Sequence, residues 1–289
     1  SAAAPSDAPY PYPILGWVSF FERIRTLFID SHCHILPGLD DGPSSWKDSL
    51  EMARIAVEND VSTIVATPHQ YADTCLLPTT EAPCEKIRQT VQEFQARLEE
   101  ASIPLKILPG AELRMGEDLV KHVQADRLMT LADRGKYLLL ELPHEIYIPI
   151  DRIVEEARRR GLWCILAHPE RNEGILGRLP LIEQLVHAGV YIQITGTSLE
   201  GTFGPLVQGF AEKILQSGLA HVVATDAHGA RGRRPMLGRA YTRVADLLGE
   251  QAAQTLCREN PLAILEDRSM EAVRGKTKKR FRWFGPRAA

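Results

Sequence analysis

The stretch that decides the fold is Leu27-Phe28-Ile29-Asp30-Ser31-His32-Cys33-His34, an aliphatic run that ends in two histidines. The apolar part has the length and composition of one buried β-strand. Residues i and i+2 of a strand project from the same face, so both imidazoles can reach one ion while Cys33 points away into packing. This segment therefore predicts a strand with a metal site at its carboxyl end.

Six further aliphatic runs follow, and longer stretches with helical spacing lie between them. Together with the first, the seven strand runs are Leu27–Asp30, Ser62–Ala66, Leu105–Leu108, Tyr137–Glu141, Leu162–Ala167, Val190–Thr195 and His221–Thr225. The helical stretches include Trp46–Asn59, Thr79–Ala101, Ile150–Arg160, Pro180–Ala188 and Pro205–Ser217. This alternation predicts parallel strands with helical crossovers. Seven strands favour a closed or nearly closed (β/α)7 barrel, and a doubly wound open sheet is the structural alternative.

The composition is that of a globular α/β protein. The chain has 289 residues, of which 44% are hydrophobic, and one α/β barrel takes roughly 200–250 residues. A net charge of -3 gives no indication of nucleic-acid or membrane binding. The five cysteines are odd in number and form no CxxC pair, which favours a reduced, cytoplasmic setting. No apolar run approaches the ~20 residues of a membrane helix, and no signal-peptide pattern is present.

Three regions are expected along the chain. Residues 1–27 form an Ala-, Pro- and Tyr-rich N-terminal extension with a short amphipathic helix, residues 28–268 form the barrel, and residues 269–289 form a tail. From Arg274 to Ala289 the tail has seven basic residues, no acidic ones and three aromatic ones. A solvated tail is the simplest interpretation, and docking on an anionic partner or the inner membrane surface is the alternative. Both ends leave the oligomeric state open.

Metal-competent side chains follow most of the strand runs. The ligand candidates are His32, His34, Asp41, His69, Glu112, His168, Asp226 and His228. The carboxyl ends of barrel strands form a single rim, so these distant segments are expected to meet in one cavity. Eight candidates exceed the three or four protein ligands of one ion. We therefore expect two or three divalent ions with Glu112 as a bridge, and imidazole with carboxylate suits Mn, Fe or Zn.

Two arginines follow these ligands closely. Arg171 comes three residues after His168, and Arg233 lies just after the last ligand, with Arg231 and Arg234 as alternatives. A guanidinium group binds phosphate oxygens in a bidentate manner and offsets transition-state charge. Phosphate binding is therefore the functional hypothesis for Arg171 and Arg233, against a plain surface ion pair for Arg171.

The motifs resemble those of the polymerase-and-histidinol-phosphatase (PHP) superfamily, and more narrowly its bacterial tyrosine-protein phosphatases of capsule and exopolysaccharide synthesis. The motifs that carry the resemblance, over residues 28–267, are Asp30–Gly42, Ala66–His69, Gly110–Glu112, Leu140–Glu141, Ala167–Arg171 and Thr225–His228. The resemblance implies a distorted, TIM-like seven-stranded barrel with a trinuclear metal site. It implies hydrolysis of phosphotyrosine, typically on the tail of a bacterial tyrosine kinase. It also implies that Arg171 and Arg233 bind phosphate and that Glu141 is a candidate general acid.

Other enzyme classes fit the sequence less well. A cysteine phosphatase needs Cys and Arg separated by five residues, and Cys164 and Arg171 are one residue too far apart. No Gly-x-Ser-x-Gly motif of a serine hydrolase occurs. Amidohydrolases often use a bridging lysine on strand four, where this chain has Glu141. A phosphatase of sugar or histidinol phosphate, a PHP-type nuclease, and a non-enzymatic scaffold for a kinase tail remain as alternatives.

Overall fold

The computed structural model describes residues 27–71, 83–116 and 118–274. Short strands alternate with helices along this part of the chain. The strands are β1 (Phe28–Cys33), β2 (Val61–Ala66), β3 (His69–Tyr71), β4 (Lys106–Pro109), β5 (Glu112–Arg114), β6 (Tyr137–Glu141), β7 (Trp163–Leu166), β8 (Tyr191–Thr195) and β9 (Val222–Ala224). The helices are α1 (Trp46–Glu58), α2 (Cys84–Glu100), α3 (Leu119–Gln124), α4 (Asp151–Arg159), α5 (Leu179–His187), α6 (Gly196–Leu199), α7 (Pro205–Gln216), α8 (Gly238–Leu248), α9 (Glu250–Gln254) and α10 (Asn260–Leu265).

The strands pair in parallel and curl into a barrel. Their orders are β1-β2-β4 and β3-β5-β6-β7-β8-β9. β3 continues β2 after two residues and β5 continues β4 after two residues, so the described strands occupy seven positions around the barrel. Asp226 N donates to His32 O (2.8 Å) and His34 N donates to Ala227 O (2.8 Å), which joins the end of β9 to β1. An open doubly wound sheet would lack this junction between its last and first strands.

The bend between β4 and β5 brings a predicted ligand onto the rim. A Cβ atom at Gly110 would lie 2.7 Å from Val65 Cγ1, so glycine is needed for β4 to pass this close to β2. Beyond the bend, Glu112 pairs in register with His69 of β3 on one side and with Leu139 of β6 on the other. Residues from three strand positions thus lie side by side at the carboxyl end of the barrel.

The core fills the barrel and the space beneath its helices. Every residue of β1 and β6 is buried, as expected for strands covered on both faces. The outer helices are amphipathic. α2, for example, buries Ile87, Val91, Phe94 and Leu98, which follow the spacing of one helical face.

The predicted elements and the described ones largely coincide. The additional strands β3 and β5 and the helices α3, α6 and α8–α10 were not predicted. The N-terminal extension, apart from Leu27, and the tail beyond Arg274 lie outside the described residues, so the predictions made for them stay predictions. Within the described part of the chain, none of the helices combines the length and the apolar character needed to cross a membrane.

Candidate metal centre

The predicted ligands meet at the carboxyl end of the barrel and form three overlapping groups. In each group, one ligand atom from every residue lies within 4.8 Å of all the others. We name them the deep group, the lateral group and the rim group. The deep group is His32, His34, Glu112 and Asp226, the lateral group is His69, Glu112 and Glu141, and the rim group is His34, Asp41, His69 and His228. Seven of the eight predicted ligands belong to these groups.

His32 of β1 and His34, which directly follows β1, direct their Nε2 atoms at each other. His34 Nδ1 donates to Asp40 Oδ2 (2.6 Å), and His32 Nδ1 donates to Gln193 Oε1 (2.9 Å). With Nδ1 protonated, the Nε2 atom of each neutral ring carries a lone pair. These two Nε2 atoms lie 3.1 Å apart. When both rings are neutral, these two Nε2 atoms are free to serve as ligands of a cation.

Glu112 lies at the centre of the cluster and is almost fully buried. Its Oε2 lies 3.1–3.4 Å from nitrogens of His32, His34 and His69. Nevertheless, Glu112 Oε2 and His69 Nδ1 are both buried without a hydrogen-bond partner of suitable geometry. Buried polar atoms are normally paired, so two orphaned ligand atoms in one cluster fit a site for a cation. The donor set of imidazoles and carboxylates suits Mn, Fe or Zn.

The loop after β1 supplies the rim group. A Cβ atom at Gly42 would lie 2.6 Å from His34 O, so glycine lets this loop fold back against the strand end. Asp41 Oδ1 thereby lies 3.4 Å from His69 Nε2 and 3.3 Å from His228 Nε2. Its neighbour Asp40 also accepts a hydrogen bond from His69 N (3.2 Å). The two adjacent acids thus have different tasks, one facing the ligand cluster and the other fixing histidines.

His168 and Asp226 have left-handed backbone conformations, with φ of 34° and 52°. Such conformations cost roughly 1–3 kcal/mol per non-glycine residue and are concentrated at functional sites. They turn the chain sharply at the ends of β7 and β9, which keeps these side chains on the rim. His168 Nε2 lies 2.9 Å from Glu112 Oε1 and 3.9 Å from Asp226 Oδ2, so it borders the deep group.

Glu141, the predicted general acid, lies among the metal-competent atoms of the lateral group. Its Oε2 accepts a hydrogen bond from Arg114 Nε (2.6 Å) and lies 3.5 Å from His69 Nδ1. The carboxyl group is buried, and the half-exposed His144 lies above it with Nε2 3.8 Å from Glu141 Oε1. A carboxyl group held by arginine among imidazoles has the surroundings of a metal ligand.

The two predicted phosphate-binding arginines converge on one atom. Arg171 and Arg233 both contact Asp226 Oδ2. The other oxygen of the same carboxylate, Oδ1, lies 3.3 Å from His32 Nε2 in the deep group. The alternatives Arg231 and Arg234 are exposed. The structure therefore places a pair of guanidinium groups directly beside the candidate metal centre.

Opposite charges shift the pKa values of the cluster strongly. Burial alone would lower the pKa of His34, but Asp40 raises it to about 9. Burial would also lower the pKa of His69, but Asp41 and Glu112 raise it to about 11. Burial would raise the pKa of Glu112, but the surrounding imidazoles hold it well below its usual range. Protons on these histidines offset the buried carboxylates, and divalent cations would take their place.

Several residues of the site were not predicted from the sequence. Asp40 and Gln193 hold the rings of His34 and His32, Arg114 holds Glu141, and Phe203 lies against both converging arginines. Only Asp40 had a signal in the sequence, since it lies beside the ligand candidate Asp41. Arg114 lies two residues after Glu112 but 27 residues before Glu141, which it holds. Gln193 and Phe203 are distant in sequence from the side chains that they contact.

Sequence comparison with known proteins points to one family. The profile of the CpsB/CapC family of capsular polysaccharide synthesis proteins matches residues 28–266. The tyrosine-protein phosphatase YwqE of Bacillus subtilis is 36% identical over 207 residues, which are 71% of this chain and 79% of that protein. The tyrosine-protein phosphatase CpsB of Streptococcus pneumoniae is 29% identical over 245 residues, which are 83% of this chain and 98% of that protein.

Comparison with solved structures agrees with the sequence comparison. A solved structure superposes with a TM-score of 0.79 at 32% identity and covers 87% of this chain and 100% of that chain. It comes from a study of YwqE from Bacillus subtilis and CpsB from Streptococcus pneumoniae, described as unique metal-dependent tyrosine phosphatases. The predicted PHP-type barrel is confirmed by this match.

Proposed function

The chain belongs to the CpsB/CapC family of capsular polysaccharide synthesis proteins, and from this premise we propose that it is a metal-dependent protein-tyrosine phosphatase. The observation that carries the proposal is the pair of guanidinium groups of Arg171 and Arg233 beside three overlapping groups of metal-competent atoms. Relatives with this barrel are named tyrosine-protein phosphatases. The geometry supports the proposal, because hydrolysis of a phosphomonoester benefits from positively charged groups beside a metal site.

We propose two or three divalent ions, held by the deep, lateral and rim groups with Glu112 shared by the first two. When bound, such ions acidify water and stabilise charge on a phosphoryl group. His168 borders the deep group through Glu112 and completes the set of eight predicted ligands. Glu141 fits the lateral group, so we assign it to metal binding in preference to the predicted role of general acid.

The chain's own contribution to the reaction is binding and orientation of the phosphate. Arg171 ends the short 3-10 helix Pro169–Arg171 after β7, Arg233 lies in the loop after β9, and both reach the same oxygen of Asp226. A phosphate that binds here would take over these two guanidinium groups and receive up to four N–H donors from them. Since their positions are set before substrate arrives, little reorganisation is needed when charge develops in the transition state.

The substrate is proposed to be a phosphotyrosine-bearing protein, and the tyrosine-rich tail of a bacterial tyrosine kinase is the proposed partner. We place the reaction in the cytoplasm, because the four described cysteines are all free and buried. Cys75 lies outside the described residues.

An assay of protein supplied with manganese tests the function. It compares a phosphotyrosine peptide, the same peptide with phosphoserine, a small sugar phosphate and an oligonucleotide. We expect rapid release of phosphate from the first substrate alone. An Asp226→Asn variant, purified in the same way, measures contaminating phosphatases. Preference for the sugar phosphate would replace our proposal with a small-molecule phosphatase, and cleavage of an oligonucleotide without phosphatase activity would indicate a nuclease.

A further inference from the structure

The two converging arginines share a second partner besides Asp226. The guanidinium carbon of Arg171 lies 4.5 Å from the centroid of the Phe203 ring, and that of Arg233 lies 6.0 Å from the same centroid. Both distances are within the range of about 6 Å over which an aromatic quadrupole attracts a cation. One ring, from a third loop of the rim, therefore contacts both arginines.

The Phe203 ring can offset the repulsion between two like charges at this site. The side chains of Arg171 and Arg233 are only 12% and 24% exposed, and they lie close together with like charge. If Asp226 also serves the deep group, its negative charge is shared with a metal ion. The guanidinium groups then need another contact that opposes their separation.

A neutral ring suits this task better than another carboxylate. A carboxylate would compete with phosphate for the N–H donors and offset the positive charge that attracts it. An aromatic face leaves the edge donors of the guanidinium plane free while it holds the plane in position. The ring thus stabilises the arginines without occupying the atoms that phosphate needs.

The loop that carries the ring is itself well fixed. It connects α6 to α7, and Thr202 N donates to Thr197 O (3.1 Å) on one side of Phe203. On the other side, Gly204 N donates to Gly201 O (3.0 Å). Gln208 Nε2 from α7 donates to Leu199 O (2.9 Å), which ties the two helices together. A rigid turn is a suitable base for a residue that sets the position of others.

We propose that Phe203 is a positioning residue that holds Arg171 and Arg233 together as one phosphate-binding unit. This inference rests on the proposed function, because it assumes that the two arginines bind phosphate. Phe203 itself takes no part in proton transfer or bond formation.

Calorimetry of inorganic phosphate binding to the manganese-loaded full chain tests the role without relying on turnover. We expect Phe203→Leu, which keeps a large apolar side chain, to weaken phosphate binding about tenfold, as for loss of two partly buried cation–π contacts. Phe203→Tyr should stay within about twofold of the wild type, since it retains the aromatic face. Leu206→Ala, at a strongly exposed position of the adjoining helix, is the matched control and should have no effect.

A double-mutant cycle separates positioning from general support of the fold. In an Arg171→Ala background, the effect of Phe203→Leu should shrink to about threefold or less, because one of the two contacts is already gone. The proposal is overturned if the Phe203→Leu variant binds phosphate as well as the wild type. It is likewise overturned if the substitution weakens phosphate binding equally in both backgrounds, or if the variant loses metal. It is also overturned if Phe203→Tyr binds as weakly as Phe203→Leu. Normal phosphate binding without hydrolysis of a phosphotyrosine peptide would instead count against the proposed function and leave this role intact.

Discussion

Replacing Glu112 by Gln should remove metal from two of the three groups at once. The substitution keeps the size and shape of the side chain but removes its charge and one of its two acceptor oxygens. Glu112 is buried among imidazoles, with Oε2 within 3.4 Å of His32, His34 and His69 and Oε1 2.9 Å from His168. An amide NH2 group in place of one oxygen would point a donor at atoms that are expected to bind cations.

The size of the effect follows from the membership of the groups. Glu112 belongs to the deep and lateral groups but not to the rim group. If each group holds one ion, Glu112→Gln should retain about one of three ions after desalting. Loss of an outer-shell partner typically costs about 10–100-fold in metal affinity or activity, so loss of a charged direct ligand should lower turnover by more than about 10²-fold.

Elemental analysis of the manganese-loaded and desalted proteins measures this outcome. Asp41→Asn is the informative comparison, because Asp41 belongs to the rim group alone and its loss should remove about one ion. Glu145→Gln makes the same chemical change at an exposed position near the rim and should retain every ion. Full metal content in Glu112→Gln would refute the bridging role. Equal losses in Glu112→Gln and Asp41→Asn would refute the arrangement of overlapping groups.

Three further predictions test the remaining chemistry and the stability of the fold. Arg171→Ala should lower turnover of a phosphotyrosine peptide by about 10²–10³-fold, as for loss of one transition-state donor, while the exposed Arg178→Ala should not; unchanged kinetics would remove Arg171 from the mechanism. Cys164→Ser should keep full activity, because burial raises the pKa of this thiol to about 12 and leaves no thiolate nucleophile at neutral pH; loss of turnover with metal and fold intact would contradict this. Burial lowers the pKa of His221 from 6.5 to about 4, so the unfolded chain binds a proton between these values that the folded protein does not. The titration of His221 therefore leaves the free energy of unfolding unchanged above pH 6.5 and lowers it by up to about 3 kcal/mol as the pH falls to 4. Denaturant titrations across this range should show that His221→Asn loses less of its free energy of unfolding than the wild type as the pH falls. The same pH dependence in both proteins would contradict the role of His221.

The order of elements was predictable because their signals are local. An aliphatic run such as Tyr137–Glu141 and a helical period such as that of Trp46–Glu58 can each be recognised within a short window. The short strands β3 and β5 were not predicted, because each has three residues and exists only through pairing with a neighbour distant in the sequence. His69 pairs with Glu112, and neither segment has an apolar pattern of its own.

The convergence of the candidate ligands was predictable for a similar reason, whereas the residues that orient them were not. Ligand candidates follow strand ends, and a barrel brings all strand ends to one rim. By contrast, Gln193 lies 161 residues from His32, and only the closed barrel brings the two together. Asp40 and Asp41 are chemically identical in the sequence. Their roles differ because Gly42 lets the loop approach β1 at an angle that points one acid at His34 Nδ1 and the other at the rim group.

Asp226 connects the candidate metal centre to the two converging arginines through its two oxygens. Oδ1 faces His32 and His34 of the deep group, and Oδ2 faces Arg171 and Arg233. Burial alone would raise the pKa of this carboxyl group, but the nearby imidazoles and Arg233 hold it below its usual range, so it carries a negative charge. A cation bound at Oδ1 would draw electron density away from Oδ2 and weaken its hold on both arginines. Metal loading would then release guanidinium donors toward an incoming phosphate, which links occupancy of the deep group to substrate affinity through a single side chain.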